Sequence, residues 1–490
     1  MVSTMTSVAK VKIPEGYKQT EVGVIPEDWG IKTIEEITSI VGDGIHATPV
    51  YSMAGGYFFV NGNNIDQGKI TLTENTKQID YQEFIKHKKV LTNRTIFLSI
   101  NGTIGNVGFY NDEPIILGKS AAYFNIKEGY SKFYIYYYLQ TNEVGQFFED
   151  GLTGTTIKNL GLGTIRSTPI ALPPLREQTA IANALSDVDN LIASLETLIA
   201  KKSAIKTAAM QQLLTGKKRL PAFEKQGTKA SENKAVTESE KQGSDQLAVS
   251  GSANQTTQSK ASEISASLTR NAGQTAPRPG YKQTELGEIP EDWECIELGQ
   301  HSDITKLAGF EYSNYFNGYK DGGRIIVLRG TNITHNKLNL SDVRNIPETT
   351  SKMLPRSKLF KGDLVFAYVG TIGPIYLVAE NDKFHLGPNT AKITCSVNID
   401  NQYLLSYFKS TLIRAEIEER ISIGAQPSLS MTKIRSFKII LPGIEEQTAI
   451  ANVLSDMDTE LEALQQRLNK TKTIKQGMMQ ELLTGKTRLV

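Results

Sequence analysis

Two stretches of the chain place apolar residues at alternating spacings of four and three. In the first these are Ile181, Leu185, Val188, Ile192, Leu195 and Ile199; in the second, Ile450, Leu454, Met457, Leu461, Leu464 and Leu468. A repeat of about 3.5 residues keeps a narrow stripe on one side of a helix, the pattern of a helix that pairs with another helix. Each stretch follows a proline-marked lead-in, LPPLREQ from Leu172 and LPGIEEQ from Leu441, and ends at Gly216 or Gly485. Proline is tolerated where a helix starts, and glycine stops one by turning left-handed. Glu177 to Thr215 therefore predicts a helix of about 58 Å at 1.5 Å per residue. The stripe turns polar at Lys202 and Lys206 in the first copy, and at Thr471 and Lys475 in the second, before Leu213 and Leu482.

Ahead of each helix the pattern changes to short β-like runs between Gly and Asn turns. Residues 30–165 hold YFFV (Tyr57–Val60), TIFLSI (Thr95–Ile100) and NVGFY (Asn106–Tyr110), then a short helical run, SKFYIYYYLQT (Ser131–Thr141). Residues 294–433 repeat that order with RIIVL (Arg324–Leu328), DLVFAYVG (Asp363–Gly370) and QYLLSYFKST (Gln402–Thr411). A common α/β (α+β) fold is expected beneath the divergent sequences. The tyrosines Tyr134–Tyr138 lie in the helical run, which makes them core rather than a base-stacking platform. GTIG, at Gly102–Gly105 and Gly370–Gly373, reads as a tight turn.

The segments flanking the inserts do not diverge. GYKQTEVGVIPEDW (Gly16–Trp29) returns as GYKQTELGEIPEDW (Gly280–Trp293), identical at 12 of 14 positions, and EQTAIANALSDVD (Glu177–Asp189) returns as EQTAIANVLSDMD (Glu446–Asp458), identical at 11 of 13. QQLLTGKKRL (Gln211–Leu220) returns as QELLTGKTRL (Gln480–Leu489). A constant frame around two unlike inserts fits one scaffold presenting two different surfaces. The expected segments are a tail (1–15), a first globular domain (16–165), its helix (166–220), a linker (221–279), a second domain (280–434) and its helix (435–490). Residues 224–279 contain no aromatic residue and are dominated by Ser, Lys, Gln, Thr, Ala and Glu, the composition of a flexible linker.

Charge narrows the chemistry little. The net charge is +2, and the inserts carry 11 Lys+Arg against 13 Asp+Glu (30–165) and 16 against 14 (294–433), so any polyanion site must be a local patch. Two cysteines in unrelated surroundings indicate neither a disulfide framework nor a zinc site. No apolar run reaches membrane-spanning length and no signal-peptide core is present, so a cytoplasmic location is expected. LTGKTR at Leu483 invites a phosphate-loop reading, but the glycine required five residues before Gly485 is Gln480. With no catalytic constellation, a non-enzyme is expected.

The Gly-rich loops after the strands hold the candidates for base contact. These are Asp43, His46 and Thr48 in DGIHATPVY, Asn61, Asn63 and Asn64 in GYFFVNGNNI, and Arg329, Thr331 and Asn332 in GGRIIVLRGTNI. Asn can pair bidentately with adenine and Arg with guanine, although Asn–Gly pairs are also ordinary turn residues.

The opening GYKQTE-x-G-x-IPEDW, the LPPLREQ/LPGIEEQ helix start, the EQTAIAN–LSD–D helix and the closing LLTGK-x-RL, each present twice, together resemble the specificity subunit of type I restriction–modification systems. DGIHATP and the strand–RGTNI loop are similar to segments of that family's target recognition domains. The resemblance implies two globular target recognition domains joined by two long antiparallel coiled-coil helices with pseudo-two-fold symmetry. Each domain would read one half of a split, asymmetric site in double-stranded DNA, with the helices setting the spacer. It also implies partners: two methyltransferase subunits and translocase–nuclease (restriction) subunits. S-adenosylmethionine, Mg and ATP belong to these partners, and no cofactor is expected on this chain. An unlike alternative is a non-DNA adaptor holding two different proteins on the duplicated frame.

Overall fold

A computed structural model describes residues 13–154, 158–224, 277–316, 323–334, 337–422 and 426–489. Most of the expected tail (1–12) and linker (225–276) lies outside the described residues. The chain forms two compact units, Met1–Leu198 with Leu464–Val490, and Ile199–Ala463. This division differs from the sequential reading, in which each helix stood as its own segment after its own insert. Each helix is instead divided between the units, because its closing block packs into the unit built on the other copy's opening block.

In the first unit, the strands Val107–Phe109, Thr95–Ser99, Ala121–Ile126 and Thr38–Asp43 form an antiparallel sheet in that spatial order. A second sheet orders Ile115–Leu117, Tyr57–Val60 and Gln78–Ile79, its first pair parallel. The second unit has the same order: Ile375–Leu377, Leu364–Ala367, Thr390–Cys395 and Ser302–Lys306, then Phe384–Leu386, Ile325–Leu328 and Arg344–Ile346. The β-like runs of both inserts are strands, and the helical runs are Lys132–Tyr138 and Asn401–Phe408.

These helices close the cores. Tyr134, Tyr136, Tyr137 and Tyr138 are buried with Ile96, Leu98 and Phe124; Tyr403 and Tyr407 are buried with Ile304, Phe366 and Phe437. Tyr134 Oη donates to the Ala171 carbonyl and Tyr403 Oη to the Ile440 carbonyl, both at 2.8 Å. Each bond ties the insert to the strand that leads into a long helix, Pro169–Leu172 or Lys438–Leu441. Gly102, Gly105, Gly370 and Gly373 all have positive φ, as the tight-turn reading of GTIG requires.

The long helices span Leu175–Leu213 and Ile444–Leu482, 39 residues each. In the first unit Ile181, Leu185, Leu195 and Leu468 are buried and Val188, Ile192 and Leu464 half-buried. In the second unit Ile450 and Leu454 are buried and Ile199, Met457 and Leu461 half-buried. Where the stripe turns polar, ion pairs replace apolar contact: Asp189–Lys475 and Glu196–Lys472 at 2.7 Å in the first unit, Lys202–Glu460 at 2.8 Å and Lys206–Asp458 in the second. Within each unit the partners rise along one helix as they fall along the other, so the segments run antiparallel. Lys202 and Lys206 therefore continue the seam rather than end it.

Gly216 and Gly485 stop the helices with φ of 68° and 72°. A Cβ would lie 2.4 Å from Pro290 Cδ at Gly216 and 2.5 Å from Pro26 Cδ at Gly485. Tyr281 Oη and Tyr17 Oη donate to the two glycine carbonyls at 2.9 Å. The closing LLTGK-x-RL thus docks on the IPEDW block of the other copy.

Candidate nucleic-acid interface

The repeated blocks meet in one polar cluster per unit. In the second unit Trp293 Nε1 donates to Glu446 at 3.0 Å, and Arg219 grips the same carboxylate (Nε to Oε1, 2.9 Å) while also bonding Asp292. In the first unit Trp29, Glu177, Arg488 and Asp28 repeat the arrangement, with Nε of Arg488 2.7 Å from Glu177. Glu177 and Glu446 are 3 % and 2 % exposed, so these are buried charge pairs. Hydrogen bonding to Glu446 raises the Arg219 guanidinium pKa, and bonding to Arg488 lowers that of Asp28. The adjacent Gln178 and Gln447 each cap the proline lead-in (2.8 Å to the Pro173 and Pro442 carbonyls) and accept from the backbone N–H of the residue that caps the insert's helix, Ser131 or Asp400. None of this cluster was among the candidates; the signal was polar residues held constant in otherwise apolar repeated blocks.

The frame presents a set of loops in each insert. In the first, the turn Gly62–Asn64, the GTIG hairpin and the Gly118–Ser120 segment converge. A Cβ on Gly62 would meet Ser120 O at 2.7 Å, Ser99 Cβ at 3.1 Å and Asn101 O at 3.4 Å. Asn64 Oδ1 accepts from Asn61 N at 3.0 Å and its Nδ2 donates to Thr71 O at 3.1 Å. The second insert builds the same turn at Gly330–Asn332: Asn332 Oδ1 accepts from Arg329 N at 3.1 Å and Nδ2 donates to Asn339 O at 3.0 Å.

Two of the candidates are tied into the turn by this geometry. Asn332 is 1 % exposed with each amide atom making two bonds, and half-buried Asn64 bonds the backbone once through each amide atom, so both side chains hold the turn. Arg329 is engaged too, donating to Asn332 Oδ1 and to the Asp342 carbonyl and carboxylate; that bonding lowers the Asp342 pKa. Asn61 bonds through Oδ1 to Ser120. Asn63, Thr331 and Thr48 remain exposed. His46 is exposed, its Nε2 2.8 Å from Asp43 Oδ2.

Two topologically matched units with unlike loops on a duplicated frame agree with the comparison of this chain against known families. The model of the type I restriction modification DNA specificity domain matches residues 26–203 and again 290–473. The chain belongs to that family. It is 25% identical over 489 residues to the type I restriction enzyme MjaVIII specificity subunit of Methanocaldococcus jannaschii, covering 97% of this chain and 96% of the relative. It is 22% identical over 384 residues to the EcoBI specificity subunit of Escherichia coli, covering 77% and 70%. The crystal structure of the type I restriction–modification S subunit from M. genitalium shares the fold, with a TM-score of 0.50 at 15% identity over 93% of this chain and 96% of that one. As a type I specificity subunit the chain serves DNA target recognition, and subunits of this family are generally non-catalytic. No helix among the described residues is long and apolar enough to cross a membrane.

Proposed function

We propose that this specificity subunit selects a bipartite, asymmetric DNA site, one recognition domain reading each half. The observation that carries this reading is the pairing of identical strand order with unlike exposed loops. His46, Thr48 and Asn63 in the first unit and Thr331 in the second are the candidate side chains for base edges, since they are exposed in loops beside the sheets. Histidine, threonine and asparagine can each bond base edges in the major groove.

On this reading the two long helices form an antiparallel coiled coil that sets the spacer and docks two methyltransferase subunits. Their 39-residue lengths and the continuous seam support the ruler. The docking has support in exposed apolar residues at equivalent helix positions: Leu175 and Ile474 in the first unit, Ile444 and Ile205 in the second. Apolar side chains left outside a folded chain mark surfaces that a partner covers. The methyltransferase subunits would bring S-adenosylmethionine and extrude the target adenine. The restriction subunits would bring ATP- and Mg-dependent cleavage, and this chain would hold no cofactor of its own.

Co-expression with the methyltransferase tests the reading. The two are expected to copurify and, together, to retain DNA carrying the methylated sequence over scrambled DNA. A stable complex that retains neither duplex selectively would favour the adaptor alternative.

A further inference from the structure

We propose that each recognition domain carries its own phosphate-binding segment, residues 86–89 in the first unit and 352–361 in the second. The inference rests on the DNA-reading function above and adds the part of the surface that holds the backbone. The chain's near-neutral charge hides a local imbalance. No Asp or Glu lies between Glu83 and Asp112, where Lys86, Lys88, Lys89 and Arg94 cluster; none lies between Glu348 and Asp363, where Lys352, Arg356, Lys358 and Lys361 cluster.

Both segments occupy the same place. Each leaves a short helix, Tyr81–His87 or Glu348–Met353, and leads into a central strand of the four-stranded sheet, Thr95–Ser99 or Leu364–Ala367. Some of these cations have internal work: Arg94 donates to the Ile126, Lys127 and Tyr130 carbonyls, Lys352 pairs with Glu348 and Lys358 with Asp382. Lys88, Lys89, Arg356 and Lys361 have no ion-pair partner among the described residues, and Lys88, Arg356 and Lys361 are exposed. Exposed cations without an ion-pair partner attract a polyanion and displace its counterions.

A buried glutamate fixes each segment next to the loop that follows the edge strand. In the first unit Glu83, 9 % exposed, accepts from Val50 N at 3.4 Å and lies 3.1 Å from His87 Nε2. In the second, Glu311, 5 % exposed, accepts from Ala308 N and from Ser357 Oγ, both at 2.9 Å. The lock is built from opposite sides, the acid standing on the helix that leads into the segment in one unit and on the short helix Gly309–Glu311 after the edge strand in the other. In the first unit the locked loop is the one that carries His46 and Thr48, both exposed. Phosphate contacts of this kind set register and carry no sequence information.

The test uses the full chain assembled with its methyltransferase, binding a duplex with the methylated site and a scrambled duplex across a range of salt. In K88Q/K89Q/R356Q/K361Q the slope of log affinity against log salt should become shallower by about 3 to 4, near 0.9 per lost phosphate contact. The ratio between the two duplexes should hold. The pairs K88Q/K89Q and R356Q/K361Q should each give about half that change, which keeps the test valid if the fourfold variant does not assemble. An unchanged slope in complexes that still discriminate the duplexes overturns the phosphate assignment alone. A native complex that fails to discriminate them overturns the DNA reading and this inference with it.

Discussion

Arg219→Ala is expected to destabilise the second unit by about 3 to 5 kcal/mol, the cost of leaving a buried charge without its partner. Glu446 is 2 % exposed and keeps only the Trp293 Nε1 bond once the guanidinium is gone. The bonds to Asp292 add less, because that carboxylate is 38% exposed and exposed pairs contribute little. For a unit of this size such a loss lowers the unfolding temperature by on the order of 10 °C. Arg488→Ala should do the same to the first unit through Glu177. Lysine at position 219 should recover only part of the stability, since it cannot reproduce the bidentate grip. A calorimetric shift within about 2 °C would mean that the cluster behaves as a surface ion pair.

Lengthening both helices by four residues, after Leu198 and after Ala463, should change the spacer and leave the half-sites alone. Those two positions are where the chain divides between its units, and they fall between the ion pairs of the first unit (Glu196–Lys472) and those of the second (Lys202–Glu460). Extending one helix alone would force the added turn to bulge against an unlengthened partner. Four residues add about 6 Å and about 40° of rotation, a local break in the seam's phase that paired helices absorb. About two base pairs span 6 Å at 3.4 Å each, so the preferred spacer should grow by one or two base pairs with some loss of affinity. Methylation confined to the original spacing would show that the helices do not set it.

The helices and several insert strands are legible in the sequence because their signals are local: the apolar stripe, the prolines before it, the glycine after it, and short apolar runs between Gly and Asn turns. Other features depend on contacts far along the chain. The roles of Arg329 and Asn332 are decided by Asn339 and Asp342, and residue type alone cannot show that their donors are already engaged. Lys202 and Lys206 look like a break in the stripe until Glu460 and Asp458 are seen opposite them. The repeats show which residues are kept, but not that Arg219 serves the opening block of the second copy rather than the first. Charge totals over whole inserts average away the acid-free runs after Glu83 and Glu348.

The proposed function rests on the two inserts reading separate halves of one DNA site. It is tested most directly by mapping methylated adenines in a host carrying the methyltransferase with either this chain or a chimera whose residues 30–165 come from a relative. The native chain should give a bipartite motif, and the chimera one new half beside one unchanged half at the same spacing. A chimera that assembles with the methyltransferase yet changes both halves together, or neither, would contradict it.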